Sequence, residues 1–139
     1  SEDLVAAALH VGLSGLLPPS DPRFIGTVER ITEFLLEGST VFRYRYDDGL
    51  PGREGGFHIC TGWLIESLCL LGRREEALGL FQRLQAAAGP LGLMAEQHDP
   101  ALGRGLGNYP QAYSHLAVIN AAVRLAAVTS TADRVAAPA

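Results

Sequence analysis

The residue best placed for proton chemistry is Glu96, in the glycine- and proline-rich stretch 89–110, GPLGLMAEQHDPALGRGLGNYP. Glycine and proline permit tight turns and fixed φ angles. A connection of this length without secondary structure of its own is either functional or disordered. The apolar run Leu91, Leu93, Met94, Ala95 argues for order, because such residues bury themselves, and it delivers Glu96 to whatever the loop surrounds. A general base for water needs a carboxylate held rigidly and partly out of bulk solvent. Gln97, His98 or Asp99 could orient that carboxylate by hydrogen bonding. The bland alternative is an exposed, silent loop glutamate, the commonest fate of this residue type.

Other side chains could complete such a site. Arg45 and Tyr46 end the run TVFRYRY, and an arginine offers paired donors suited to sugar hydroxyls or a carboxylate. A structural ion pair with Asp47, Asp48 or Glu54 would account for Arg45 equally. Glu54, in GREGG, could join Glu96 in a two-carboxylate site, the minimum set for glycoside hydrolysis. The attraction of acids to helix N-termini explains Glu54 as simply. Tyr109 and Tyr113 straddle the boundary between the loop and the next helix and could stack on sugar rings, whereas Trp63, inside the most apolar segment, reads as core. His58, His98 and His115 lack metal-ligand spacing, so neither a metal nor another cofactor is expected. Glu66, within an apolar helix, needs a partner such as an arginine if it is buried.

These residues must be positioned by one domain: 139 residues suffice for a real core, and 47% apolar content is on the rich side of ordinary. A net charge of −4, with arginine as the sole basic residue besides histidine, gives no electrostatic footprint for nucleic acid. No apolar run reaches the length of a membrane span, and SEDLVAAALH lacks the basic start of an export signal. Cys60 and Cys69 lie nine residues apart in one helical pattern, roughly 13 Å along the axis, too far to pair. Two reduced thiols fit a cytoplasmic protein.

Periodicity places helices over residues 3–16, 22–36, 56–71, 73–88 and 111–127. Asp21-Pro22 supplies an N-cap and N1 pair, and Gly72 a C-terminal stop. Thr40–Tyr46 alternates as a short strand. Residues 1–128 therefore form an all-α domain of stacked antiparallel helical hairpins, with an unstructured tail over 129–139. Short connections alternate with long glycine-rich loops, which gathers the loops at one end. Five helices are too few to close a ring, so the arrangement reads as a segment of a larger toroid.

The combination YRYDDGLPGREGGFHICTGWLIESLCLLGRREEALGLF followed by LGLMAEQHDPALGRGLGNYPQAYSHLAVINAA closely resembles glycoside hydrolase family 15. The likeness covers roughly residues 10–127 and looks most like the bacterial branch of a family holding glucoamylases, glucodextranases and bacterial trehalases. The resemblance implies an (α/α)6 barrel, of which this chain would be the C-terminal part, and inverting hydrolysis of an α-glucoside such as trehalose or an α-glucan oligosaccharide. It implies Glu96, in LMAEQ, as the general base with Gln97 beside it. It also implies Arg45 with Tyr46 as a sugar-binding pair, Tyr113 near the site mouth, and Glu54 as a substrate-side residue rather than the acid. The family's general acid lies upstream and has no counterpart here. An inverting site needs both carboxyls, so the chain alone is expected to be inactive. It is also expected to expose apolar helix faces that the remainder of the catalytic domain, or a second copy, would cover. The competing readings are a non-catalytic helical-hairpin module for protein binding and a sugar-binding module without hydrolysis.

Overall fold

The computed structural model describes residues 3–46, 49 and 54–136, the last eight by their backbone alone. Asp47, Asp48 and residues 50–53, where the sequence places a turn and a second glycine-rich loop, lie outside the described residues. The chain is mostly helical, with a small sheet. A 3₁₀ turn over Ala6–Leu9 runs into α1 (His10–Leu13), followed by α2 (Pro22–Phe34), α3 (His58–Leu70), α4 (Arg74–Ala86) and α5 (Ala112–Ala136). Five strands of two or three residues interrupt them: β1 (Leu36–Glu37), β2 (Thr40–Val41), β3 (Gly56–Phe57), β4 (Gln97–Asp99) and β5 (Arg104–Leu106). They form one antiparallel sheet in the order β1-β2-β3-β4-β5. The all-α expectation is corrected accordingly.

The helix signals act as their chemistry requires. The Asp21 carboxylate accepts the Arg23 N–H at 2.9 Å with Pro22 in the first turn, so α2 begins capped. The Arg23 guanidinium grips the same carboxylate and holds its pKa down to about 2. At the end of α3, Gly72 takes φ +73° and the Arg73 N–H reaches back to the Leu68 carbonyl at 2.9 Å. This six-to-one closure, open to a residue without Cβ, turns the chain directly into α4. The expected helix over 3–16 is shorter and partly 3₁₀. Gly12 abuts the Phe24 ring, where an added Cβ would lie 2.3 Å from it, and Gly15 at φ +78° leaves helical space.

Helix α3 is apolar on every side because it is surrounded. It packs against α5, α4, α2, α1, the 3₁₀ turn and β2. Cys60, Leu64, Ile65, Leu68 and Cys69 from α3 join Phe24, Val28 and Ile31 from α2 and Ala77, Leu80 and Leu84 from α4 in one core. Gly62 lets α5 approach closely, since a Cβ there would sit 2.7 Å from that of Ala117. Glu66 has found its arginine: Arg124 on α5 lies 3.6 Å away, and burial raises the Glu66 pKa against the pull of that neighbour. Both cysteines are free and buried. The backbone of α5 continues to Ala136, beyond the helix end expected at Ala127. No helix among the described residues is long and apolar enough to cross a membrane.

Candidate active site

Glu96 is held by its backbone on both sides. Its N–H donates to the Asn108 carbonyl at 2.9 Å, and its own carbonyl accepts the His58 N–H at 3.2 Å, at the junction of β3 and α3. Upstream, the Met94 carbonyl accepts the Gln111 N–H at 2.9 Å and the Ala95 carbonyl accepts the Ser114 hydroxyl at 2.7 Å, which fastens this strand entry to the start of α5. His115 adds a third tie by accepting the Met94 N–H through Nε2 at 3.3 Å. Of the apolar lead-in, Met94 is fully buried while Leu91 and Leu93 are exposed. Anchoring of Glu96 therefore comes from Met94 and these hydrogen bonds rather than from burial of the whole run.

The Glu96 carboxylate is half-buried and points across the β4–β5 hairpin. Its Oε2 accepts the Asn108 side-chain amide at 2.9 Å and the Asn108 backbone N–H at 3.2 Å. Gly107 makes room for it: at φ +75°, a Cβ there would lie 2.6 Å from Oε2. Two donors on one oxygen leave Oε1 as the side available to a water or substrate, with the carboxylate fixed in direction. A pocket of about 400 Å³ in the same loop is lined in part by Ala95, Gly107 and Tyr109, and Glu96 is not among its lining residues.

The sheet brings the two glycine-rich loops together. Gly56 pairs with His98 and Phe57 with Gln97. This close pairing needs the Gly55-Gly56 dipeptide, because a Cβ on Gly55 would strike the His98 carbonyl at 2.3 Å and one on Gly56 would strike Thr40 at 2.2 Å. Gln97 uses its side-chain oxygen to accept the Gly55 N–H at 2.9 Å, so it braces the loop beside Glu96. Glu54, next in the chain, is exposed and bound to Arg43 at 2.6 Å.

Arg45 is engaged by other partners. Its guanidinium bonds the Glu37 carboxylate at 2.8 Å and lies over the Phe42 ring at 4.0 Å. Glu37 is on β1, three strands from β4, about 14 Å at ordinary strand spacing. Tyr46 stacks on Tyr44 with ring centroids 4.3 Å apart. Tyr113 is exposed at the start of α5, one residue before the Ser114 anchor. Two participants escaped the sequence reading. Asn108, within GNYP, signals only a turn. Arg43 belongs to the first of two consecutive Arg-Tyr pairs, and nothing in the pattern ranks one above the other.

His58 introduces a pH dependence. It is 2% exposed, its Nδ1 has no hydrogen-bond partner among the described residues, and its ring centroid lies 6.2 Å from that of His98. Burial first, and the His98 charge second, push its pKa down to about 4 from 6.5. A histidine with a depressed native pKa binds fewer protons folded than unfolded. Stability is therefore intact above about pH 6.5 and falls as pH drops towards 4, by up to about 3 kcal/mol. Urea unfolding at about pH 7.5 and about pH 4.5 should show this loss, and His58→Gln should remove most of it. An equal loss in both proteins would assign the slope to other groups. Among the described residues, no group of three or more His, Cys, Asp or Glu side chains is placed to hold a metal ion.

Known proteins resemble this chain in sequence and in fold. The chain is 47% identical over 135 residues to a trehalase of Mycobacterium tuberculosis, covering 95% of the chain and 20% of that protein. It is 42% identical over 126 residues to a trehalase of Thermoplasma acidophilum, covering 90% of the chain and 22% of that protein. The chain thus spans about a fifth of the length of these curated relatives. A solved glycosidase structure superposes with a TM-score of 0.78 at 21% identity, over 91% of this chain and 37% of that one, and so shares the fold. The family model described as "Glycosyl hydrolases family 15" matches residues 1–123. With a matching fold and a match over most of its length, this chain belongs to glycosyl hydrolase family 15.

Proposed function

We propose that the chain is the base-carrying C-terminal part of an inverting α-glucoside hydrolase, with trehalose or an α-glucan oligosaccharide as substrate. The observation that carries this reading is the half-buried Glu96 carboxylate, aimed by two Asn108 donors on a loop tied to α3 and α5. In this mechanism Glu96 takes a proton from the attacking water as its oxygen joins the anomeric carbon. A carboxylic acid outside this chain gives its proton to the departing glycosidic oxygen. Gln97 keeps β3 and the Glu54 turn against β4, and Tyr113 flanks the mouth. Arg45 would reach the sugar only after leaving Glu37, a screened, exposed pair whose dissociation costs little.

One carboxylate does not make an inverting site, so the chain by itself should turn nothing over. The exposed stripe Tyr113, Leu116, Ile119 and Val123 along α5 supports a partner element, and the rest of an (α/α)6 toroid is the occupant we assign to it. The test is proton NMR of trehalose cleavage by the complete catalytic domain. One β-glucose and one α-glucose should appear per trehalose before mutarotation. Two α-glucose products would overturn inversion, and absence of cleavage of trehalose and of α-glucan oligosaccharides would overturn the activity.

A further inference from the structure

His58 and His98 have no role in the proposed reaction, yet they sit where the Glu96 loop meets the core. His58 opens α3, is 2% exposed, and its Nδ1 has no hydrogen-bond partner among the described residues. Its backbone N–H donates to the Glu96 carbonyl at 3.2 Å. His98 stands two residues beyond Glu96 on β4, opposite Gly56, with its ring centroid 6.2 Å from that of His58. Two imidazoles are thus joined to the strand that follows the general base.

A proton on His58 has little there to hold it. The position is the first of a 13-residue helix, whose amide dipoles already present positive charge. The carboxylates of the neighbouring strands are taken: Glu96 by Asn108, Asp99 by the Ala101 and Leu102 N–H groups of the hairpin turn, and Glu54 by Arg43. From α5, His115 offers no negative charge, and its Nε2 accepts the Met94 N–H. A charged His58 must therefore reach water. The weaker restraint on it is β4, which pairs with β3 over two residues, whereas α3 is packed against the other helices.

We propose that His58 is a positioning residue for Glu96: β4 stays against β3 while His58 is neutral, and protonation of His58 beside His98 releases the Glu96 loop. Loss of turnover in acid is then steeper than protonation of the base alone would make it. Titration of a single base gives a limb of one proton, and release of the loop adds a second. This inference rests on the glycosidase reading for its link to turnover, and goes beyond it in giving His58 and His98 a part in holding the base.

Hydrogen exchange on the complete catalytic domain tests the latch. Between about pH 7.5 and about pH 4.5, corrected for intrinsic exchange, protection of the His58 and Glu96 amides should fall by up to about 10²-fold. That is the factor by which burial and the His98 charge disfavour a proton on His58 in the closed state. Amides of α4 should stay at least about tenfold better protected, because they open only with the whole domain. In His58→Gln the fall should vanish and the acid limb of kcat should return to one proton. Should that variant not fold, His98→Gln must still shrink the fall, since the smaller of the two causes is gone. Loop protection that tracks α4, a fall undiminished in the folded variants, or parallel acid limbs in wild type and His58→Gln would overturn the latch. The exchange readout needs no turnover. A loop released by acid in a domain that cleaves neither trehalose nor α-glucan oligosaccharides would refute the glycosidase reading and leave the latch standing. A domain that cleaves them with loop protection unmoved would refute only the latch.

Discussion

Glu96→Gln in the complete catalytic domain is expected to lower turnover by about 10²–10⁴-fold, the range supplied by a positioned general base. The substitution is nearly isosteric. An amide oxygen can still accept from the Asn108 amide and backbone N–H that hold the carboxylate at 2.9 and 3.2 Å, so the loop keeps its shape. What disappears is the capacity to take a proton from water. The loss should therefore fall on kcat, with sugar affinity still measurable in a binding assay. Near-normal turnover would refute the assignment outright. A fall in affinity equal to the fall in kcat/KM would recast Glu96 as a binding residue.

The largest effect on stability is expected from Leu64→Ala. Leu64 is 0% exposed and sits on the helix that touches four others, so its removal opens a cavity with packed walls on all sides. Such truncations cost about 3–5 kcal/mol, because the surroundings collapse only partly. A typical domain has roughly 5–15 kcal/mol to lose, so the variant should unfold at markedly lower denaturant and lower temperature. A loss under about 1 kcal/mol would mean that α3 can repack freely and is not the framework on which the Glu96 loop is hung.

The parts of the fold that could be read in advance are those whose signals are local. Asp21-Pro22 starts α2, Gly72 stops α3, and the all-round apolar character of 58–70 announces a surrounded helix. The sheet could not be read, because strands of two or three residues are too short to show alternation. Only their pairing across the chain, 56–57 with 97–98, makes them strands. Thr40–Val41 emerged as the start of the expected 40–46 strand, and the rest is irregular. For the site, Glu96 stands at the entry to β4 with its backbone tied to Asn108 and His58, and Gln97 braces Gly55 from the next position. The arginine partner was harder to see. Arg43 and Arg45 are two residues apart with the same neighbour type, and which of them meets Glu54 is decided by tertiary contacts, with Glu37 claiming the other.

The buried cysteines have a chemical consequence. Burial pushes the Cys60 thiol up to about 12 and raises that of Cys69 as well, so neither forms a thiolate at neutral pH while the helices stay packed. Alkylating agents and peroxides act on the thiolate. Both sulfurs are thereby shielded from oxidative damage in the native state. The rate at which iodoacetamide labels them becomes a clock for how often α3 comes loose from its neighbours.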